Sequence, residues 1–145
     1  MTVGVVAMNL ETSVLLVDDY MPVRRTLRGL LLQIGFRDIE DTSDAAAALA
    51  KLRERAFGLI MSDLKMEPTT GLEFLKHIRA DEKLRSTPFI MVTALGDAES
   101  VKAAKEAGVS NYIVKPFNTA TLKKKIGAVL TATPYSPNMA SESAA

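Results

Sequence analysis

The chain has 145 residues, 48% of them apolar and 24% charged, with a formal net charge of +1. That length suits one domain with a sizeable core, and the near balance of charge gives no electrostatic argument for nucleic acid or an anionic membrane. Cysteine is absent, which excludes a disulfide framework and a thiolate metal site.

The N-terminal MTVGVVAMNLE lacks a basic start, carries Glu11 and is too short to span a bilayer. It reads as a flexible arm over residues 1–12 of a cytoplasmic protein that does not insert into membranes. VLLVD (residues 14–18) then reads as a buried strand, being β-branched and free of polar alternation. Val23, Leu27, Leu30, Leu31 and Ile34 recur at helical spacing, with Pro22 in the first turn and Gly35 as a stop. FRDIE (36–40) predicts a short, more polar strand at an edge. Ser43 is positioned to cap an alanine-rich helix, SDAAAALAKLRER. FGLIMS (57–62) is the next buried strand, and GLEFLKHIRADE (71–82) a helix with Leu72, Leu75 and Ile78 on one face. PFIMVT (88–93) is the fourth strand, with Pro88 at its tolerated first position. AESVKAAKEAG (98–108) is a helix closed by Gly108, and SNYIV (110–114) the fifth strand. Asn118 can cap a last helix carrying Leu122, Ile126, Val129 and Leu130. The Pro-, Ser- and Ala-rich residues 132–145 read as a disordered tail.

Strands separated by single helices predict an α/β fold: a (βα)5 doubly wound parallel sheet, one domain over residues 13–131. Ligands of such sheets bind beyond the carboxyl ends of the strands. There the sequence places Asp18 and Asp19, Asp63, Thr93, and Lys115-Pro116. Each alone has an ordinary explanation as a cap, a turn residue or a solvated charge. Together they put three mutually repelling carboxylates on one rim, which calls for a cation. With oxygen ligands alone, a hard ion such as Mg²⁺ fits. Three carboxylates, one ammonium and a divalent ion sum to zero charge, a pocket able to accept a phosphoryl group. A carboxylate can itself be the nucleophile, with Thr93 and Lys115 as partners for the new oxygens.

VLLVDDY, SDLKM…GLEFLKHIRAD, PFIMVTA and AGVSNYIVKPF resemble the receiver domains of bacterial two-component response regulators, the stand-alone chemotaxis regulators above all. The resemblance runs from about Val14 to Leu130. It implies a flavodoxin-like strand order of 2-1-3-4-5, and Asp63 as phosphoacceptor from a phosphohistidine on a sensor histidine kinase. Asp19 and Asp63 are implied as direct Mg²⁺ ligands, with the Lys65 backbone carbonyl, and Asp18 acting through water. Lys115 is implied as the phosphoryl partner, with a cis bond to Pro116. Thr93 and Tyr112 are implied as the switch pair, Tyr112 turning inward when the phosphate forms. Such a protein is a signalling module, not an enzyme, although it promotes its own Mg²⁺-dependent phosphorylation and dephosphorylation.

Some residues depart from the family pattern. Lys65 stands where chemotaxis regulators often have Asn, and Leu95 where a polar or acidic residue is common. Both are expected to overhang the phosphate and lengthen its lifetime. Proline falls at Pro68 rather than one residue earlier, and Thr70 replaces the common Asp before Gly71, so a reshaped loop around an intact site is expected. The lone His77 reads as a solvated helix position, Lys123-Lys124-Lys125 as an exposed face, and Met61, Met66 and Met91 as packing.

A flavodoxin-like electron carrier would need a hydroxyl- and glycine-rich phosphate loop after the first strand, where this chain has Asp-Asp-Tyr-Met-Pro. A phosphohydrolase of the haloacid dehalogenase type would carry its nucleophile on the first strand. The expected output is therefore phosphorylation-dependent protein binding by a monomer, foremost to a flagellar motor switch protein. A phosphatase is a further candidate partner. A phosphate sink or phosphorelay shuttle outside motility is the alternative.

Overall fold

The computed structural model describes residues 8–94 and 98–131. Ten elements alternate: β1 (Val14–Val17), α1 (Met21–Ile34), β2 (Ile39–Thr42), α2 (Ala45–Glu54), β3 (Leu59–Asp63), α3 (Gly71–Ala80), β4 (Phe89–Ala94), α4 (Ala98–Glu106), β5 (Asn111–Lys115) and α5 (Thr119–Leu130). The strands form one parallel sheet in the order β2-β1-β3-β4-β5. Fold class and strand order both match expectation.

Side chains of successive strand residues point to opposite faces, and here both faces are covered. Leu15, Val17, Ile60, Phe89 and Met91 pack under α2, α3 and α4. Val14, Leu16, Leu59, Met61, Ile90 and Ile113 pack under α1 and α5. Double coverage explains why the strand sequences do not alternate with polar residues. Each large apolar side chain so buried contributes roughly 1.5–3 kcal/mol. Phe74 and Phe89 meet in a tilted ring pair with centroids 5.6 Å apart, tying α3 to β4.

Several local expectations are corrected. The second strand starts at Ile39, not Phe36. Phe36 is wholly buried, but it belongs to the turn leaving α1, where Gly35 adopts φ 123° and both residues donate N–H bonds to the Leu31 carbonyl. The cap of α2 is Asp44, whose carboxylate accepts from the Ala47 N–H, rather than Ser43. The buried face of α3 is Phe74, Leu75 and Ile78, with Leu72 only partly covered. Helical phase puts Phe74 four residues before Ile78, and the larger ring takes the deeper place.

β2 lies at an edge, as its polarity predicts. Arg55 pairs with Asp38 and Glu40, and Lys51 with Glu40, so the open edge is lined with charge. Of the expected N-terminal arm, residues 8–12 make a small turn. The Asn9 side chain accepts from the Glu11 N–H, Thr12 Oγ1 donates to the Asn9 carbonyl, and Met8 packs against the α1–α5 core. Residues 1–7, like the expected tail 132–145, lie outside the described residues. Among the described residues, no helix is long and apolar enough to cross a membrane.

Candidate functional site

Parallel pairing brings the carboxyl ends of β1, β3, β4 and β5 to one rim. Asp18 and Asp19 follow β1 directly, Asp63 ends β3, Thr93 is the penultimate residue of β4, and Lys115 ends β5. Asp18, Asp19 and Asp63 each present a carboxylate oxygen within 4.8 Å of the others. Lys115 Nζ donates to Asp63 Oδ1 at 2.9 Å and lies 3.9 Å from Asp18 Oδ2. Asp18, Asp19, Asp63, Thr93 and Lys115 all lie on this rim, and Leu95 lies outside the described residues.

Asp18 is 1% exposed. Its Oδ1 accepts the Tyr20 N–H at 2.8 Å, and its Oδ2 is buried without a hydrogen-bond partner. Burial is the main cause that pushes the Asp18 carboxyl above its ordinary pKa, and the charges of Asp63 and Asp19 push the same way. The Tyr20 N–H and Lys115 act against them. A buried, unpartnered carboxylate oxygen beside two further acids, with one ammonium for three carboxylates, is a donor set that fits a hard divalent cation such as Mg²⁺. Asp18, Asp19 and Asp63 are the residues available to hold it.

The loop after β3 sets the backbone around Asp63. Leu64 donates its N–H to the Val92 carbonyl, and Gly71 donates back to the Leu64 carbonyl at 2.8 Å. A Cβ at Gly71 would overlap the Asp63 carbonyl oxygen and lie 2.9 Å from Leu64 Cα. Only glycine lets the start of α3 close onto the end of β3. Thr70 caps α3 in a reciprocal capping box with Glu73. The Glu67–Pro68 and Lys115–Pro116 bonds are both cis, the second as expected. Met66 is buried beneath the loop and Lys65 is exposed above it. A cleft of about 630 Å³ runs from Asp19 past Lys65 and Thr70 to Ser100.

Thr93 is 1% exposed, and among the described residues its hydroxyl makes only a long 3.5 Å contact to the Ala94 carbonyl. Such a contact is at the outer limit of a hydrogen bond, so the hydroxyl is weakly tied. Tyr112 is half-buried at the edge strand β5. Its ring lies 5.3 Å from Lys105 Nζ of α4 and 4.7 Å from Lys125 Nζ of α5, beside a cleft of about 400 Å³. Lys123 and Lys124 are exposed as expected, whereas Lys125 is drawn onto the ring. His77 is exposed on α3.

Two arginines escape sequence reasoning. Arg79 is 8% exposed and bonds the carbonyls of Arg85, Thr87 and Gly108, joining the end of α3 to the turns before β4 and β5. Arg24 reaches back from α1 to the Asp18 carbonyl. In sequence, both look like solvated helix charges.

A doubly wound parallel sheet with three acids and a lysine gathered at its carboxyl rim is a receiver-type fold. The chain belongs to the response regulator receiver domain family, whose model matches residues 14–127. It is 38% identical over 122 residues to the chemotaxis protein CheY-3 of Vibrio cholerae, covering 84% of this chain and 94% of that protein. It is also 38% identical over 113 residues to the chemotaxis protein CheY of Pseudomonas aeruginosa, covering 78% and 91%. Among solved structures it resembles the chemotaxis response regulator CheY4 of Vibrio cholerae (TM-score 0.75, 35% identity, 82% of this chain and 98% of that one). A response regulator receiver protein from Pseudomonas putida is similar as well (TM-score 0.72, 30% identity, 84% and 98%).

Proposed function

We propose that the chain accepts a phosphoryl group on Asp63 from a phosphohistidine of a sensor kinase and signals by phosphorylation-dependent protein binding, foremost at the flagellar motor switch. The observation that carries this is the 2.9 Å contact between Lys115 Nζ and Asp63 Oδ1, inside a cluster of three carboxylates. In the transfer, an Asp63 oxygen attacks phosphorus as the P–N bond to the donor imidazole breaks. The electron pair stays on that nitrogen, and with the other ring nitrogen already protonated the donor leaves as neutral imidazole.

Asp18, Asp19, Asp63 and the Lys65 carbonyl are the groups to hold Mg²⁺, Asp18 through water. The ion, when bound, neutralises charge on the transferring oxygens. Lys115 exchanges its carboxylate partner for a phosphoryl oxygen, and the weakly tied Thr93 hydroxyl is free to turn toward another. Turning Thr93 opens space along β4, into which Tyr112 swings, changing the face made by α4, β5 and α5. Lys65 and Leu95 tune the lifetime of the phosphate. A Lys65→Asn, Leu95→Glu protein that loses phosphate no faster than wild type removes that part of the reading. Resemblance to chemotaxis proteins supports the motor output, and the module works in the cytoplasm as a monomer.

The deciding experiment is binding of a flagellar switch N-terminal peptide in Mg²⁺, with and without beryllofluoride as the phosphoryl mimic. Tighter binding with beryllofluoride is expected. Equal or absent binding would shift the output to a phosphate sink or relay shuttle and leave the acceptor chemistry standing.

A further inference from the structure

Arg24 sits on the second turn of α1, six residues beyond Asp18, yet its side chain folds back over the start of its own helix. Nη1 donates to the main-chain carbonyl of Asp18 at 2.6 Å, a short charge-assisted bond. Nε is buried without a hydrogen-bond partner and lies 3.8 Å from Asp41 Oδ2, on the edge strand β2. The Arg24 side chain is 15% exposed and the Asp41 side chain 35%.

The carbonyl that Arg24 holds belongs to the peptide joining Asp18 to Asp19. Fixing that oxygen fixes the peptide plane, and with it the directions in which both carboxylates leave the backbone. The Asp18 N–H is held from β2 by the Thr42 carbonyl at 3.2 Å, and Asp18 Oδ1 is held by the Tyr20 N–H. Arg24 closes this set from the remaining side. Three repelling acids would otherwise spread apart, and the two from β1 sit at a strand end with no ladder beyond them.

We infer that Arg24 is a positioning residue of the acidic pocket, orienting the Asp18–Asp19 turn through the Asp18 carbonyl, with Asp41 of β2 as the counterion that holds the guanidinium in place. The inference rests on the reading of the pocket as a Mg²⁺ site. It adds a second tier to that site, drawn from an edge strand that carries none of its acids.

The test measures Mg²⁺ affinity by calorimetry, and metal-free melting and amide exchange alongside it, for Arg24→Met, Arg24→Lys and Asp41→Asn. Arg24→Met is expected to weaken Mg²⁺ binding about tenfold and to speed exchange of the Tyr20 N–H, with Arg24→Lys and Asp41→Asn intermediate. Arg55→Met, which breaks the ion pairs to Asp38 and Glu40 on the same strand, should leave Mg²⁺ affinity within about twofold of wild type. A folded Arg24→Met protein with Mg²⁺ affinity within about twofold of wild type and unchanged Tyr20 exchange overturns the positioning role. If Arg24→Met does not fold, unchanged affinity in both Arg24→Lys and Asp41→Asn overturns it instead. A wild-type protein that takes up no Mg²⁺ overturns the pocket reading and this inference together.

Discussion

Lys115 and Asp63, 52 residues apart in sequence, are joined by a 2.9 Å bond between ammonium and carboxylate at the rim of the sheet. They stand at the ends of β5 and β3, with β4 between them. Lys115→Ala should therefore leave the fold intact while leaving three acids without their ammonium. Its side chain is 30% exposed, so solvent screens the pair and the loss of stability should be about 1 kcal/mol. Phosphorylation by a small acyl phosphate should fall by about a hundredfold, since the cation facing the transferring oxygens is gone. Urea unfolding and radiolabel incorporation read the two effects separately.

Asp18 gives a pH dependence with an unusual sign. Its carboxyl is raised above the ordinary value, so the folded protein binds its proton more tightly than the unfolded chain. Metal-free stability from this group is then highest below the ordinary carboxylate range, and declines as pH rises through the window up to the raised value. Asp18→Asn should remove that decline and raise the melting temperature at neutral pH without Mg²⁺. Added Mg²⁺ should stabilise wild type and do far less for Asp18→Asn. Melting curves across pH, with and without Mg²⁺, check both statements.

Gly71→Ala is expected to be severe for so small a change. The added methyl overlaps the Asp63 carbonyl oxygen and meets Leu64 Cα at 2.9 Å, both backbone atoms with little room to yield. A destabilisation of about 2–3 kcal/mol should appear in urea unfolding, together with weaker Mg²⁺ binding because the end of β3 that carries Asp63 is displaced. Gly29→Ala, where nothing lies within 4 Å of the new Cβ, is the matched control.

Tyr112 is held between the ammonium groups of Lys105 and Lys125. Each such contact at a half-exposed ring is worth about 0.5–1 kcal/mol. The double substitution Lys105→Ala, Lys125→Ala should let the ring sample the inward position in the absence of phosphate. Carbon-13 relaxation and chemical shifts of the Tyr112 ring measure this directly, and an unchanged ring environment would remove the two lysines from the switch.

The rim was legible in the sequence because a parallel sheet converts strand order into place: whatever follows each buried run must lie on the same side. Asp18, Asp19, Asp63, Thr93 and Lys115 could all be located by that rule. The rule does not extend to helices, where a charged side chain reads as solvated until the fold brings carbonyls to it. Arg79 bonds carbonyls from the turns that follow it, six, eight and 29 residues on, and Arg24 one from the turn six residues behind it. Phe36 misled in the other direction. Its burial comes from a helix-ending turn, and hydrophobicity alone does not distinguish that from the first residue of a strand.

The crossing of β3, β4 and β5 has one more consequence. Asp63 and Lys115 meet only after two parallel crossovers have closed, each a long loop whose ordering entropy must be spent before its contacts repay it. A nascent or partly opened chain therefore has the aspartate but not the assembled pocket. On the proposed function, competence to be phosphorylated waits on completion of the sheet itself.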